Sequence, residues 1–172
     1  EGKFQDKIIP FEGYYTSSEF FKIFDFELIG ADPEHVLDEP YSVVMREELA
    51  RKFFGDEDPI GKTILVDTTK EFKVTGIIKK KNEKSHIKFE TLASNNSMDK
   101  DLSGDWKNIT SNYAYIILKD GMNPDELKPA FEKIRKEQYG SDPEHDYSFS
   151  LQALTDIPLG PMLANEIGEF LP

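Results

Sequence analysis

Two hydrophobic rhythms run along this chain, a period of two that marks strands and a period near 3.6 that marks helices. The opening "FQDKIIPFEGYYT" is rich in aromatic and β-branched residues and reads as a strand bent at Pro10. Ser17 or Ser18 is placed to cap a short helix, "SEFFKIFDF", with Phe20, Phe21 and Phe24 on one apolar face. After the loop "IGADPEHVLDEP", the short apolar strand "YSVVM" feeds the helix "REELARKFFG". Met45, Leu49 and Phe53, spaced by four, form a core stripe, and Gly55 is the left-handed residue that ends the helix.

The pattern then switches to period two. "KTILVD" and "EFKVTGIIK" read as a hairpin closed by "DTTK", with Phe72, Val74, Gly76 and Ile78 on one face. "SHIKFETLAS" is a further strand, and the polar "NNSMDKDLSGDWKN" is a loop or broken helix. "SNYAYIILK" reads as a strand. "DGMNPDELKPAFEKIRKEQYG" follows as the best helix, with Asn123 as cap, Pro124 in its first turn and Glu126 completing a capping box. Its stripe is Leu127, Ala130, Phe131 and Ile134. "DYSFSLQAL" alternates as a last strand, and the tail "TDIPLGPMLANEIGEFLP" is a Pro/Gly-punctuated connector. Strand, helix and strand from Tyr113 to Leu151 predict a βαβ unit. The whole reads as an α+β chain of two lobes, a hairpin-rich mixed lobe and a βαβ lobe, dividing near Lys84 to Phe89.

Composition narrows the function classes. At 172 residues with 38% hydrophobic side chains the chain can bury a core. A formal net charge of −12 argues against nucleic acid and against anionic membrane surfaces as partners. The absence of cysteine removes disulfides, thiolate catalysis and Cys-bearing zinc sites. No apolar run approaches the about 20 residues of a membrane span. The chain opens at "EGKFQ" without a methionine or a signal peptide, which suggests an excised piece of a longer protein.

Candidate chemistry is thin. "GDEDPIGKT", Gly55 to Thr63, resembles a phosphate-binding loop, but five residues rather than four separate its first Gly from Gly-Lys-Thr. A helix precedes it and a strand follows, the reverse of the required order. Its three carboxylates would repel polyphosphate, and Pro59 lacks an N–H donor. It is expected to be a turn between helix and strand. "SHIK" matches Ser-x-x-Lys, yet in a strand residues that far apart face opposite ways. His35, His86 and His145 stand singly, and no metal-ligand spacing is present. "DPEH" occurs at Asp32–His35 and Asp142–His145 with unrelated flanks, which marks a turn or helix start rather than a repeat. No catalytic residue, cofactor or metal site emerges. The candidate partner contacts are the basic run "KKKNEK", with Lys79, Lys80, Lys81 and Lys84, and the polar segment from Asn95 to Trp106. A charge run more commonly just faces water.

A family likeness rests on longer segments. "FFKIF" with "ELIGADP", then "SVVMREELARKFFGDEDPIGKT", "FKVTGIIK" and "SHIKF", together with "DW", "YAYIILKDG" and "LTDIPL", closely resemble the MacB-like periplasmic core domain of ABC transporter permeases. This is the MacB/FtsX class in its Bacteroidetes-type form, and the likeness covers about Tyr14 to Leu159. It implies a domain outside the cytoplasmic membrane, between the first two membrane helices of a permease. Residues 1–86 would be a mixed α/β lobe inserted into a porter-like lobe, 87–159 part of that porter-like lobe, and 160–172 a connector toward a membrane helix. The family usually carries another segment before the residue matching Glu1, so the porter-like lobe is expected to be incomplete.

The likeness further implies no enzymatic activity. A separate cytoplasmic ATPase would drive the parent permease, with a homodimer in the full transporter and a periplasmic adaptor or lipoprotein as partner. The alternative from the residues themselves is a free-standing periplasmic module that binds a ligand or peptide. A hydrolase ranks below both, since no nucleophile–base constellation is present.

Overall fold

The structure is a computed structural model, and it describes residues 1–80, 86–98, 106, 112–140 and 147–157. The chain forms two compact units, Glu1–Ser103 and Gly104–Pro172.

The first unit is built on one mixed sheet. Its strands are β1 (Gly2–Phe4), β2 (Lys7–Ile9), β3 (Gly13–Thr16), β4 (Leu28–Ile29), β5 (Ser42–Arg46), β6 (Thr63–Val66), β7 (Lys70–Ile78) and β8 (Thr91–Ser94). Their order is β2-β1-β6-β7-β5-β8-β3, with β4 paired to β7 off that path. The β5–β7 and β3–β8 pairs are parallel and the others antiparallel. Among its described residues this unit has two α-helices, α1 (Phe20–Ile23) and α2 (Glu47–Phe54).

Helix α2 covers one face of the sheet. Its Leu49, Ala50, Phe53 and Phe54 are buried against Val43 and Met45 of β5, Ile64 of β6, and Phe72, Val74 and Ile77 of β7. Met45, Leu49 and Phe53 are fully buried, as their spacing predicts. Gly55 ends the helix at φ +65°, where a Cβ would be strained. The Lys7 ammonium donates to the Lys52 and Phe53 carbonyls at 3.2 and 2.9 Å and so satisfies the orphan acceptors at that end.

Several expectations change on contact with the tertiary structure. The opening segment is a hairpin, not one bent strand: Gln5 turns at φ +53° and Phe4 pairs Lys7. The α1 helix is only four residues long, and no side chain caps it. The Ser18 hydroxyl donates instead to Asp38 Oδ1 at 2.9 Å and accepts the Leu37 N–H at 3.0 Å. In β7 the period-two pattern breaks. Val43 pairs Val74 but Val44 pairs Gly76, so Thr75 is a bulge. Ile77 therefore joins Phe72 and Val74 under α2, while Gly76 turns to the opposite face, where Val36 and Ala31 lie. The Thr75 hydroxyl donates to the Val36 carbonyl at 2.8 Å and holds the 31–41 loop on that face.

The boundary between the units also lies later than the 84–89 suggested by the sequence. Ile87, Phe89 and Leu92 are buried, and β8 is hydrogen-bonded between β5 and β3, so this segment belongs to the first unit.

In the second unit, Asn123 and Glu126 form the expected capping box around a 3-10 turn, Pro124–Leu127, which leads into α3 (Lys128–Gln138). None of its residues is fully buried, and Ala130 of the expected stripe is exposed. Residues 112–119 and 147–153 show no strand ladder. The βαβ unit expected here is therefore not formed among the described residues. A strand exists only through a neighbour's N–H and C=O groups, which propensity alone does not supply. Aromatic contacts tie α3 to the later segment: Tyr139 stacks on Tyr147 at 4.1 Å, and Phe131 meets Phe149 at 6.2 Å. Among the described residues, no helix is long and apolar enough to cross a membrane.

Candidate functional site

Most N–H groups of the loop after α2 are already engaged within the fold. The Glu57 N–H goes to the Phe54 carbonyl, the Ile60 N–H to Asp58 Oδ1, the Gly61 N–H to the Val74 carbonyl and the Lys62 N–H to the Pro59 carbonyl. Thr63 is already in β6, paired with Lys73. The Lys62 ammonium is held by the Glu57 carboxylate and lies 5.7 and 5.5 Å from the ring centres of Phe4 and Phe54. That cation keeps the Glu57 carboxyl below the usual range. The amides of Glu57, Ile60, Gly61 and Lys62 and the Lys62 ammonium are thus spent on closing a helix and starting a strand.

The lysine run is engaged where it is described. Lys79 pairs with Glu27 at 2.8 Å, which raises the Lys79 pKa, and Lys80 pairs with Glu48 at 3.1 Å. Lys81 and Lys84 lie outside the described residues. Trp106 is 46% exposed and its carbonyl accepts the Tyr139 hydroxyl. The start of the polar segment is part of the fold. The Ser97 hydroxyl accepts the Tyr41 N–H at 2.7 Å, and the Asn96 amide donates to the Asp38 carbonyl at 2.8 Å. Lys79 and Lys80 belong to the first unit and Trp106 to the second.

One arrangement brings together a serine, an aspartate and a histidine. His35 Nδ1 lies 2.7 Å from Asp38 Oδ2, and Ser18 donates to the other oxygen of the same carboxylate. The order is wrong for nucleophilic catalysis, because the hydroxyl proton faces an acid rather than the imidazole. The cluster instead fastens the 31–41 loop. Asp38 hydrogen-bonds to the imidazole, which raises the His35 pKa, and its own carboxyl is lowered by His35 and Ser18. His86 is half-buried beside Phe24, and burial lowers its pKa. The first "DPEH" is the turn its residues predict, with Asp32 Oδ1 accepting the Glu34 N–H. The second lies outside the described residues, as do His145 and Ser85 of "SHIK". Among the described residues no cluster of His and carboxylate side chains has the geometry to hold a metal ion.

Two concavities mark the first unit. One, of about 200 Å³, opens over the sheet beside Phe11, Tyr15, Val43, Phe72 and Thr91. Tyr41 stands at φ +60° and packs its ring edge-on against Phe72 at 5.6 Å. The other, of about 420 Å³, lies between α2, the 55–60 turn and β4. Sequence reasoning singled out neither, since their linings come from residues distant along the chain.

The MacB-like periplasmic core domain model matches residues 3–134. No curated protein matches. Among solved structures, a domain of a permease protein from Porphyromonas gingivalis superposes with a TM-score of 0.66 at 21% identity, over 80% of this chain and 64% of that one. The periplasmic region of MacB from Actinobacillus actinomycetemcomitans gives 0.48 at 16% identity, over 73% and 56%. The extracellular domain of the noncanonic ABC-type transporter YknZ from Gram-positive bacteria gives 0.36 at 17% identity, over 46% and 41%. The chain thus spans less than two thirds of the length of each of these domains. The family match covers nearly all of the first unit's sheet and reaches into α3, so the chain belongs to the MacB-like periplasmic core domain family.

Proposed function

We propose that this chain is a non-catalytic extracytoplasmic domain of an ABC transporter permease, on the periplasmic side of the bacterial inner membrane. It couples motion driven by a separate cytoplasmic ATPase to export or to mechanical signalling across the envelope. The observation that carries this reading is the family match, which runs over residues 3–134 and so enters both units. The first unit acts as a stiff body, because one sheet and α2 share a single packed core. The second unit carries Ile116 and Ile117 at 51% and 67% exposed, surface that suits burial in a larger assembly. A homodimer within the transporter, a periplasmic adaptor or lipoprotein, or the rest of the porter-like lobe would cover it.

The test uses the lack of cysteine in this chain. A single cysteine at Lys128, a 72% exposed side chain, is introduced in a parent permease whose cysteines outside this chain have been replaced by serine. A membrane-impermeant maleimide should label it in cells with a permeabilised outer membrane and an intact inner one. Labelling only after inner-membrane lysis would overturn the proposed location. Replacing residues 1–157 by a Gly/Ser linker should leave ATP hydrolysis by the assembled transporter measurable and abolish export or signalling. Undiminished export or signalling would overturn the coupling role.

A further inference from the structure

The larger of these two concavities has a chemical character of its own. Ile77 and Ala50, 5% exposed each, form its floor, and Ile29 and Ile60 line its walls. Ile29 is 46% exposed, although its strand β4 is held to β7 by pairing with Ile77. At about 420 Å³ the slot has room for a few side chains, within the range of about 300–1,000 Å³ usual for binding clefts.

Its rim is acidic, and the carboxylates differ in how far they are satisfied. Glu47 is bound to Arg51 at 2.7 Å and Glu57 to Lys62. Asp58 uses one oxygen for the Ile60 N–H and has no ion pair among the described residues. No donor reaches the Asp56 carboxylate among the described residues. Two uncompensated negative charges therefore stand over an aliphatic floor. Gly55 and Pro59 fix the turn that carries them.

We propose that this slot receives a segment of a partner protein that presents a lysine or arginine beside aliphatic side chains. The aliphatic groups fill the Ile29–Ile60–Ile77 trough, and the cation lies between Asp56 and Asp58. A second copy of this chain is the poorer occupant. The net charge of −12 makes copies repel one another, and Lys79 and Lys80 are committed to Glu27 and Glu48. The proposal stands on the slot itself, so labelling from the wrong side of the membrane would overturn the transport reading and leave this one intact.

The test is a titration of the isotopically labelled 172-residue chain with a synthetic amphipathic leucine–lysine peptide, followed by amide NMR. A leucine–glutamate peptide of equal length is the control. The leucine–lysine peptide should give saturable shifts at Ile29, Ala50, Gly55, Asp56, Ile60 and Ile77, and the control none. The double variant Asp56→Asn, Asp58→Asn keeps the amide oxygen that Ile60 needs and should bind about tenfold more weakly, the equivalent of two partly exposed ion pairs. An unchanged spectrum of that variant away from the turn certifies its fold. Where the turn does shift, Ile29→Ser in β4 replaces it and should weaken binding without altering the salt dependence. Four results overturn the proposal: shifts spread evenly over the acidic surface, equal binding of the control, undiminished binding by the variants, and self-association that shields the same amides.

Discussion

Replacing Gly76 by alanine tests how tightly the 31–41 loop is pressed on the sheet. A Cβ at Gly76 would stand 2.9 Å from Val36 Cγ2, 3.1 Å from Ala31 Cβ and 3.5 Å from Val44 Cγ2. Carbon atoms rest at about 3.5–4.0 Å, so two of these contacts are too short by roughly half an ångström. Overpacking of this kind costs about 1–3 kcal/mol, offset by about 0.5–1 kcal/mol because alanine has less backbone freedom to lose than glycine. The expected net loss is about 1.5 kcal/mol. Val36→Ala alone, at a residue 6% exposed, should cost about 2 kcal/mol for two buried methyl groups and the space they leave. In the double variant the new methyl occupies that space, so the losses should fall short of their sum by about 1 kcal/mol. Urea unfolding followed by far-UV circular dichroism reads each value. With a slope near 2 kcal/mol per molar, Gly76→Ala should lower the midpoint by about 0.7 M. Strict additivity, or no effect of Gly76→Ala, would refute the placement of Val36 over the bulge.

Three further outcomes follow from local geometry. Asp67 and Thr68 close the β6–β7 hairpin at φ +48° and +63°, which strains a β-branched residue, so Thr68→Gly should raise stability by about 0.5–1 kcal/mol in the same urea assay. The His35–Asp38 pair predicts a bell-shaped pH dependence. The raised His35 pKa gives a contribution complete below the ordinary value of 6.5 and lost as pH rises through the folded value, and the lowered Asp38 pKa gives one complete above 3.8 and lost on acidification. Hydrogen exchange at the Leu37 amide should therefore be slowest, after correction for intrinsic rates, between those limits. His35→Gln should remove the alkaline limb, and a limb that persists would refute the assignment. Calorimetric titration with magnesium ATP should show no saturable heat, and Lys62→Ala should cost about 0.5–1 kcal/mol of stability through its lost contacts with Phe4 and Phe54. A micromolar ATP isotherm would overturn the structural account of that loop.

What was legible in the sequence depended on how locally each element is determined. The β5–α2 unit, its stripe of Met45, Leu49 and Phe53, and the capping box at Asn123 are set by neighbours within a turn or two, and they stand as the residues predict. The reading of Gly55 to Thr63 as a turn also holds, since a missing donor at Pro59 and a helix on the wrong side are local facts. The bulge at Thr75 is not local. It arises because Val43 and Val44 must pair residues that straddle Thr75, and it reverses the face of everything after it, so a period-two count placed Gly76 and Ile78 beside Val74. "YAYIIL" failed for a related reason. Its apolar side chains state a preference for a sheet, but no ladder forms there among the described residues, and Ile117 stays 67% exposed.

The same distinction explains why the acidic slot escaped notice. Its floor and walls come from β4, α2, the 55–60 turn and β7, which the fold gathers from positions 29 to 77. Within the turn, sequence showed only the carboxylates that argue against a phosphate. Their sign acquires a positive meaning once Ile29, Ile60 and Ile77 are seen beneath them. The segment "LARKFFGDEDPIGKT" then does two physical jobs. Its first half packs Leu49, Phe53 and Phe54 into the core, and its second half must cap α2, enter β6 through Gly61 and Lys62, and hold Asp56 and Asp58 outward. A turn needed only for closure has no use for two unpaired carboxylates beside an exposed isoleucine, and the charge-to-amide variant separates that surplus from the fold.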